Sequence, residues 1–164
     1  MAVLFITEAE IKSNTAIQNN VDVSLITPYI ETAQLLHIQP ILCEDLYNDL
    51  VTNISAGTIS SDYQTLLDEY IQPALSNWVF YEALPFLYVR ITNKGLLLKS
   101  SDNSESVDVQ TYNMLRENVK DIAQYQTKRL QKFLIDNRSL YPLYICDDCD
   151  GPNDPYNFNQ IVFY

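Results

Sequence analysis

Apolar residues fill one stretch of this chain and mark out stripes in the rest. Residues 71–95 read IQPALSNWVFYEALPFLYVRITNKG, and the twelve residues from Trp78 to Val89 hold a single charge, Glu82. No polar face interrupts them at helical spacing. A helix that is apolar all round is buried on every side or spans a bilayer, and twelve residues fall well short of the roughly 20 that spanning needs. The stretch is therefore the expected central helix of a helical core. Pro73 suits its first turn, where a missing N–H does no harm. Pro85 lies inside the run and is expected to kink or end the helix near Leu84. Beyond it, Arg90–Gly95 ends in turn residues and leads into Leu96–Lys99, the pattern of a short hairpin or of a tight turn leading out of the core.

Other segments show one-sided stripes. Thr7-Glu-Ala-Glu10 has the form of a capping box and opens a short helix; Ser13–Asn20 is polar and loop-like. Asp22 suits the cap of a second helix, with Ile26, Tyr29, Ile30, Ala33 and Leu36 on one face. Pro28 moves its expected start towards Thr27, and Gln39-Pro40 is expected to end or bend it. Leu42, Leu46, Leu50 and Ile54 recur every four residues, predicting a third helix to about Ser55 that stops at Gly57. Ser60 or Ser61 caps a further helix over 62–70. Ser100–Ser106 is polar throughout and reads as an exposed loop. The longest stripe follows: Tyr112, Leu115, Val119, Ile122, Leu130 and Phe133 on one face, interrupted by Gln126, with Lys120, Gln124, Lys128 and Gln131 opposite. A helix of roughly 28 residues extends about 42 Å, which is long for so small a domain. From Arg138 the pattern breaks at Tyr141-Pro142, Gly151-Pro152 and Asp154-Pro155, and the chain ends in Asn159–Tyr164, a possible short strand. No internal repeat is evident at periods of 20 to 50 residues.

These patterns give a mainly α fold: a bundle of four to six helices with a short hairpin and an irregular C-terminal tail. Residues 1–138 form the helical domain and residues 139–164 the tail. The expected core comprises Ile30, Leu46, Leu50, Leu75, Trp78, Val79, Leu115, Val119 and Ile122. The apolar end of an irregular tether needs covering: it either folds back on its own domain or docks on an adjacent subunit or another protein, and on the second reading Tyr156, Phe158, Ile161, Val162, Phe163 and Tyr164 are the expected interface residues.

The 164 residues suit one domain. Charge narrows the partners. The net charge is −11, with 10 Lys and Arg against 21 Asp and Glu, and the largest basic cluster is Lys128-Arg129 with Lys132. Nucleic-acid binding rests on cations that displace counterions, so affinity for DNA is not expected; an acidic surface instead repels DNA that must slide past it. The 12 tyrosines suit either extensive interfaces or partly exposed core positions. Met1–Ile6 is too short for a signal peptide, and three cysteines make no complete disulfide framework, so cytoplasmic production is expected.

Candidate chemistry is sparse. Cys146 and Cys149 have redox spacing, but the acids between them raise thiol pKa, and a zinc site needs a second ligand pair; they remain weak metal candidates. Asp147, Asp148, Asp150, Asn153 and Asp154 around Gly151 lack the register and closing Glu of a calcium loop and read as a solvated acidic turn. His37, the only histidine, lies near an expected helix C-terminus, which favours its charged form. Glu44, Asp45 and Asp49 read as a solvated face. No phosphate loop, dinucleotide fingerprint or metalloprotease motif occurs. Neither an enzyme nor a cofactor is expected.

In Ile26-Thr-Pro-Tyr-Ile-Glu-Thr-Ala-Gln34, Ile38-Gln-Pro-Ile-Leu42, Asp45-Leu-Tyr-Asn-Asp-Leu50 and the block from Tyr70-Ile-Gln-Pro-Ala-Leu75 to Lys94-Gly95, the chain resembles small head–tail connector proteins of tailed bacteriophages. These are also called adaptor or head-completion proteins, and the resemblance is to those of Bacteroidetes phages, the crAss-like group included. It covers about residues 5–140, in the order and spacing of packing positions, and leaves out the Cys-bearing tail. It implies a non-catalytic helical subunit of the virion, at the head–tail junction, made in the host bacterial cytoplasm. It also implies a homo-oligomeric ring, usually of twelve copies, bound to the portal protein and to the next tail or ring protein. DNA passes through such a ring without specific binding, and no membrane is involved. Two other readings suit the residues: an acidic helical adaptor or inhibitor of a basic partner, and a small metal or redox protein built on Cys146 and Cys149.

Overall fold

The computed structural model describes residues 3–17, 21–92, 95–98 and 108–145, with Val23 and the strand residues from Arg90 onward as backbone alone. The chain is mainly α. Helices α1 (Glu8–Asn14), α2 (Thr27–Ala33), α3 (Gln39–Ala56), α4 (Ser61–Leu66) and α5 (Gln72–Tyr88) precede strands β1 (Val89–Thr92) and β2 (Gly95–Leu98), and α6 (Val109–Asp136) follows. The strands pair antiparallel from Val89↔Leu98 to Thr92↔Gly95, the expected hairpin. The loop at 100–106 and the residues from Cys146 to Tyr164 lie outside the described residues, and with them the interface residues assigned to the tail.

Local chemistry sets the helix ends. At Thr7 the capping box forms: its hydroxyl accepts from the Glu10 N–H while the Glu10 carboxylate accepts from the Thr7 N–H at 2.7 Å. Ser60 caps α4 and Asp108 caps α6, each accepting the third residue's N–H. Gly57, at φ 67°, takes the left-handed position that ends α3. Asp22 starts a single 3₁₀ turn, Val23–Leu25, rather than α2 itself, which begins at Thr27 beside Pro28. Ser13 and Asn14, expected in a loop, complete α1.

A repeat missed in the sequence organises the middle of the chain. Ile-Gln-Pro occurs at 38–40 and again at 71–73, and each copy closes a π-helical turn, Gln34–Ile38 and Leu67–Ile71. In both, the glutamine N–H reaches back five residues, Gln39 to the Gln34 carbonyl and Gln72 to that of Leu67. Proline explains the widening. Its ring clashes with the carbonyl four residues back and it has no N–H to donate, so a wider turn accommodates both Pro40 and Pro73 without breaking the helix. α2–α3 and α4–α5 are thus two copies of one helix–π turn–helix unit. Ile38 and Ile71, Leu42 and Leu75, Leu46 and Val79, and Leu50 and Ala83 occupy matching places, and all are fully buried. Gln39-Pro40 therefore widens the helix rather than ending it. The first unit does bend at Cys43, whose φ of 61° and ψ of 163° are non-helical, a conformation that costs a non-glycine residue about 1–3 kcal/mol.

The core is built around α5, which packs against α1, α2 and α6 and both π turns. Ile30, Leu46, Leu50, Leu75, Trp78, Val79 and Val119 are buried in it. Pro85 does not end α5 at Leu84: the helix continues through it to Tyr88. Leu115 and Ile122 are exposed rather than core. α6 instead buries Val119, Ala123, Thr127, Leu130 and Leu134, a stripe rotated away from the one marked by large apolar residues. Small Ala123 and Thr127 let the two helices approach closely, and Thr127 accepts the Trp78 indole N–H at 2.9 Å. Leu36, expected on the buried face of α2, is also exposed, because the π turn shifts the phase of that face. The helical packing passes residue 138. Tyr141 and Tyr144 are buried, and the Tyr141 hydroxyl donates to the Asp62 carbonyl at 2.9 Å, so this first part of the expected tail belongs to the core.

Candidate functional site

The most developed polar and aromatic arrangement among the described residues follows the seam between α5 and α6. At its centre the His37 ring lies on the Trp78 ring, with centroids 3.7 Å apart and planes 5° from parallel. His37 Nε2 is 2.9 Å from Glu82 Oε1. Burial pushes the His37 imidazole pKa down, opposed by the hydrogen bond and charge of Glu82. The expectation of a charge-favouring helix C-terminus is corrected here: His37 sits inside a π turn that runs into α3, and desolvation dominates. Tyr81 meets Trp78 edge-on, the Arg116 guanidinium lies 4.4 Å over the Tyr81 ring, and Tyr112 stacks on Tyr88. Arg116 Nε is buried and finds no hydrogen-bond partner among the described residues.

The second π turn carries a matching cluster. Tyr70, at the position equivalent to His37, stacks on Phe133 with centroids 3.9 Å apart, and the Arg129 guanidinium of α6 lies over the Tyr70 ring, 4.7 Å from its centroid, while donating to the Glu69 carbonyl. Tyr63 donates to Asp49 at 2.6 Å, and burial followed by that carboxylate raises the phenol pKa well above its ordinary value. Gln34, buried in the first π turn, accepts from the Phe5 N–H and donates to the Val3 carbonyl and the Tyr47 hydroxyl. π turns often mark functional positions. Here both present an aromatic ring to a stacking partner, and each pins one helical unit to its neighbour. The contacts in these clusters join helix to helix, which is what a rigid scaffold requires.

The sequence-selected acids divide. Glu44 and Asp45 are exposed as expected, while Asp49 is half-buried under Tyr63. No group of His, Cys, Asp and Glu among the described residues is arranged to hold a metal ion, and Cys146 and Cys149 lie outside those residues. Cys43 is engaged in a disulfide, which the odd cysteine count did not indicate. No helix among the described residues is long and apolar enough to cross a membrane. Sequence reasoning missed Thr127 and Gln34, the buried polar partners of the seam and of the first π turn. A lone threonine on the seam of α6, spaced four residues from Ala123, was the available sign of close packing.

The surface that remains is the far side of α6. Met114, Leu115, Ile122 and Tyr125 are exposed there, two of them the residues assigned to the core from their spacing. No curated protein and no solved structure matches the chain. Residues 38–153, more than half of its length, match the family of unknown function DUF6712, and the chain belongs to that family.

Proposed function

We propose that this chain is a structural, non-catalytic subunit of a tailed-phage virion that assembles as a ring between the portal and the tail and extends the DNA channel. The observation that carries the reading is the exposed apolar side of α6, a surface far better suited to a protein neighbour than to water. The sequence resemblance to head–tail connectors supplies the identity of that neighbour: other copies, the portal, and the next tail or ring protein. The net charge of −11 supports a channel through which DNA moves without adhering, since like charges raise the potential along its path. Twelve copies is the number that the resemblance suggests. The twofold use of stacked rings at the π turns gives each subunit the stiffness that a ring under load needs.

The experiment is to mix the purified chain with the portal protein of the same phage and image the product by electron microscopy. A ring of added density on one end of the portal supports the reading. A portal that stays bare at micromolar concentrations of both proteins sinks it and favours the second reading, an acidic adaptor of some other, basic partner, which the concentration of acids in residues 3–88 supports.

A further inference from the structure

The two arginine–tyrosine clusters of α6 are built alike and finished differently. Arg129 lies over the Tyr70 ring and donates to the Glu69 carbonyl. Arg116 lies over the Tyr81 ring and donates to no acceptor among the described residues. An arginine carries five N–H donors in a fixed fork and no acceptor. The Nε of Arg116 is enclosed without a partner. Its two Nη groups also lack a partner among the described residues, but they are not enclosed, so they form the edge that solvent reaches.

Around this edge the described residues bring donors and no free acid. Tyr112, one turn before Arg116, stacks on Tyr88 with ring centroids 4.5 Å apart. Tyr81, Tyr88, Tyr112 and Arg116 are all half-buried. The Tyr81 and Tyr112 hydroxyls make no hydrogen bond among the described residues and are open to solvent. Burial pushes the Tyr112 phenol pKa up, the Arg116 charge opposes the rise, and Tyr81 and Tyr88 add to it, so all three lie within electrostatic reach of the Tyr112 hydroxyl. The positions that share a face with Arg116 on α6 are Tyr112, Asn113, Val119 and Lys120, none of them acidic. The neighbouring acids are directed elsewhere. Glu82 pairs with His37 at 2.9 Å, Glu117 with Lys120 at 3.7 Å, and Asp108 accepts from the Thr111 N–H and hydroxyl. Asp121, five residues on, lies about 140° round the helix.

We propose that this open end of the α5–α6 seam is a binding site for a carboxylate group, held by the Arg116 fork and the Tyr81 and Tyr112 hydroxyls. A guanidinium matches a carboxylate through two parallel N–H···O bonds. With Nε enclosed, the Nη pair is the edge that receives it. Enclosure has already taken part of the hydration of Arg116, and a charge pair gains more where water is excluded. One positive charge among neutral phenols suits a singly charged carboxylate. Nucleic-acid phosphates call for several cations, and the nearest other cation on this face, Lys120, is already paired with Glu117. The site does not depend on the ring reading. Its carboxylate has two sources, an Asp or Glu of another protein and the chain's own Asp102 and Glu105, the acids that precede the α6 cap in sequence, and the test separates them.

Side-chain nitrogen NMR of the full chain tests it, because the enclosed Nε–H of Arg116 is shielded from exchange and can be followed directly. Sodium acetate is the probe, titrated against sodium chloride and sodium phosphate at equal ionic strength. The Arg116 Nε–H resonance should shift along a saturating curve with acetate and stay in place with chloride. Tyr112→Phe keeps the ring stacked on Tyr88 and removes only the hydroxyl; it should weaken acetate binding about fivefold, the worth of one hydrogen bond. A response in the wild type means that the site is open to a carboxylate from another protein. A wild type indifferent to acetate beside a responsive Asp102→Asn, Glu105→Gln double variant keeps the site and assigns its carboxylate to the chain itself. No response in either protein overturns the proposal. So does an equal shift with chloride, which would mean an adventitious ion only, or tighter binding of phosphate than of acetate, which would make this a phosphate site. Undiminished acetate binding in Tyr112→Phe would remove that hydroxyl from the site and overturn it as drawn.

Discussion

Helices α5 and α6 lie side by side, yet their sequences are put to opposite uses. In α5, side chains around most of the circumference, from Ala74 to Leu84, are buried by α1, α2, α6 and the π turns. In α6, a helix of 28 residues, only Val119, Ala123, Thr127, Leu130 and Leu134 are buried. Large apolar residues at the centre of α5 hold the subunit together; large apolar residues on α6 face water. The difference teaches that apolar character alone does not identify a core position. In this chain the closest packing between the two helices is made by small residues, and the bulky ones of α6 are left for something outside the subunit.

Removing the centre of α5 should have the largest effect. Trp78→Ala deletes the ring that stacks on His37 and the N–H that Thr127 accepts, and it should cost about 3–5 kcal/mol in denaturant unfolding. A loss under about 1 kcal/mol would mean that the α5 seam does not hold the fold. The seam is probed from the other side by Ala123→Leu, which forces a larger side chain between the helices. Overpacking of this kind costs about 1–3 kcal/mol, and a neutral outcome in the same titration would show that the helices are not in close contact there.

The fold was legible where apolar and polar positions alternate with a clear period. Thr7, Ser60 and Gly57 marked helix ends by their own chemistry, and the run at Trp78 marked the centre of the core. Two features were not. The π turns were hidden because a proline within a helical pattern reads as a break, whereas here the helix widens before Pro40 and Pro73 and continues. The seam of α6 was hidden because stripe reasoning follows volume: Leu115 and Ile122 outweighed Ala123 and Thr127, although a close helix–helix approach favours the smaller pair. His37 was misread for a related reason. Its surroundings depend on Trp78 and Glu82, more than forty residues away in the chain, and no local pattern shows them.

A gentler effect comes from pH. Burial holds the His37 pKa below its ordinary value in the folded chain, Glu82 notwithstanding. As pH falls through about 6.5 the unfolded chain takes up this proton before the folded one does, so stability drops from there until the folded imidazole also protonates. Replacing the ring by His37→Gln should flatten the decline in unfolding midpoint between about pH 7 and pH 5; a slope identical to that of the wild type would assign it to other groups. The smallest change in stability is expected on the far side of α6. Ile122→Asp should alter the unfolding free energy by no more than about 0.5 kcal/mol, as exposed substitutions do. A loss of several kcal/mol would return Ile122 to the core and erase the contrast between the two helices.

Hydroxyl-radical footprinting of the full chain, dilute and then concentrated or bound to the portal, reads both helices in one sample. Met114 and Tyr125 should be oxidised readily in the dilute chain and protected on assembly, while Trp78 is protected throughout. Equal oxidation of Met114 and Tyr125 in both states would show that the outer side of α6 meets no partner.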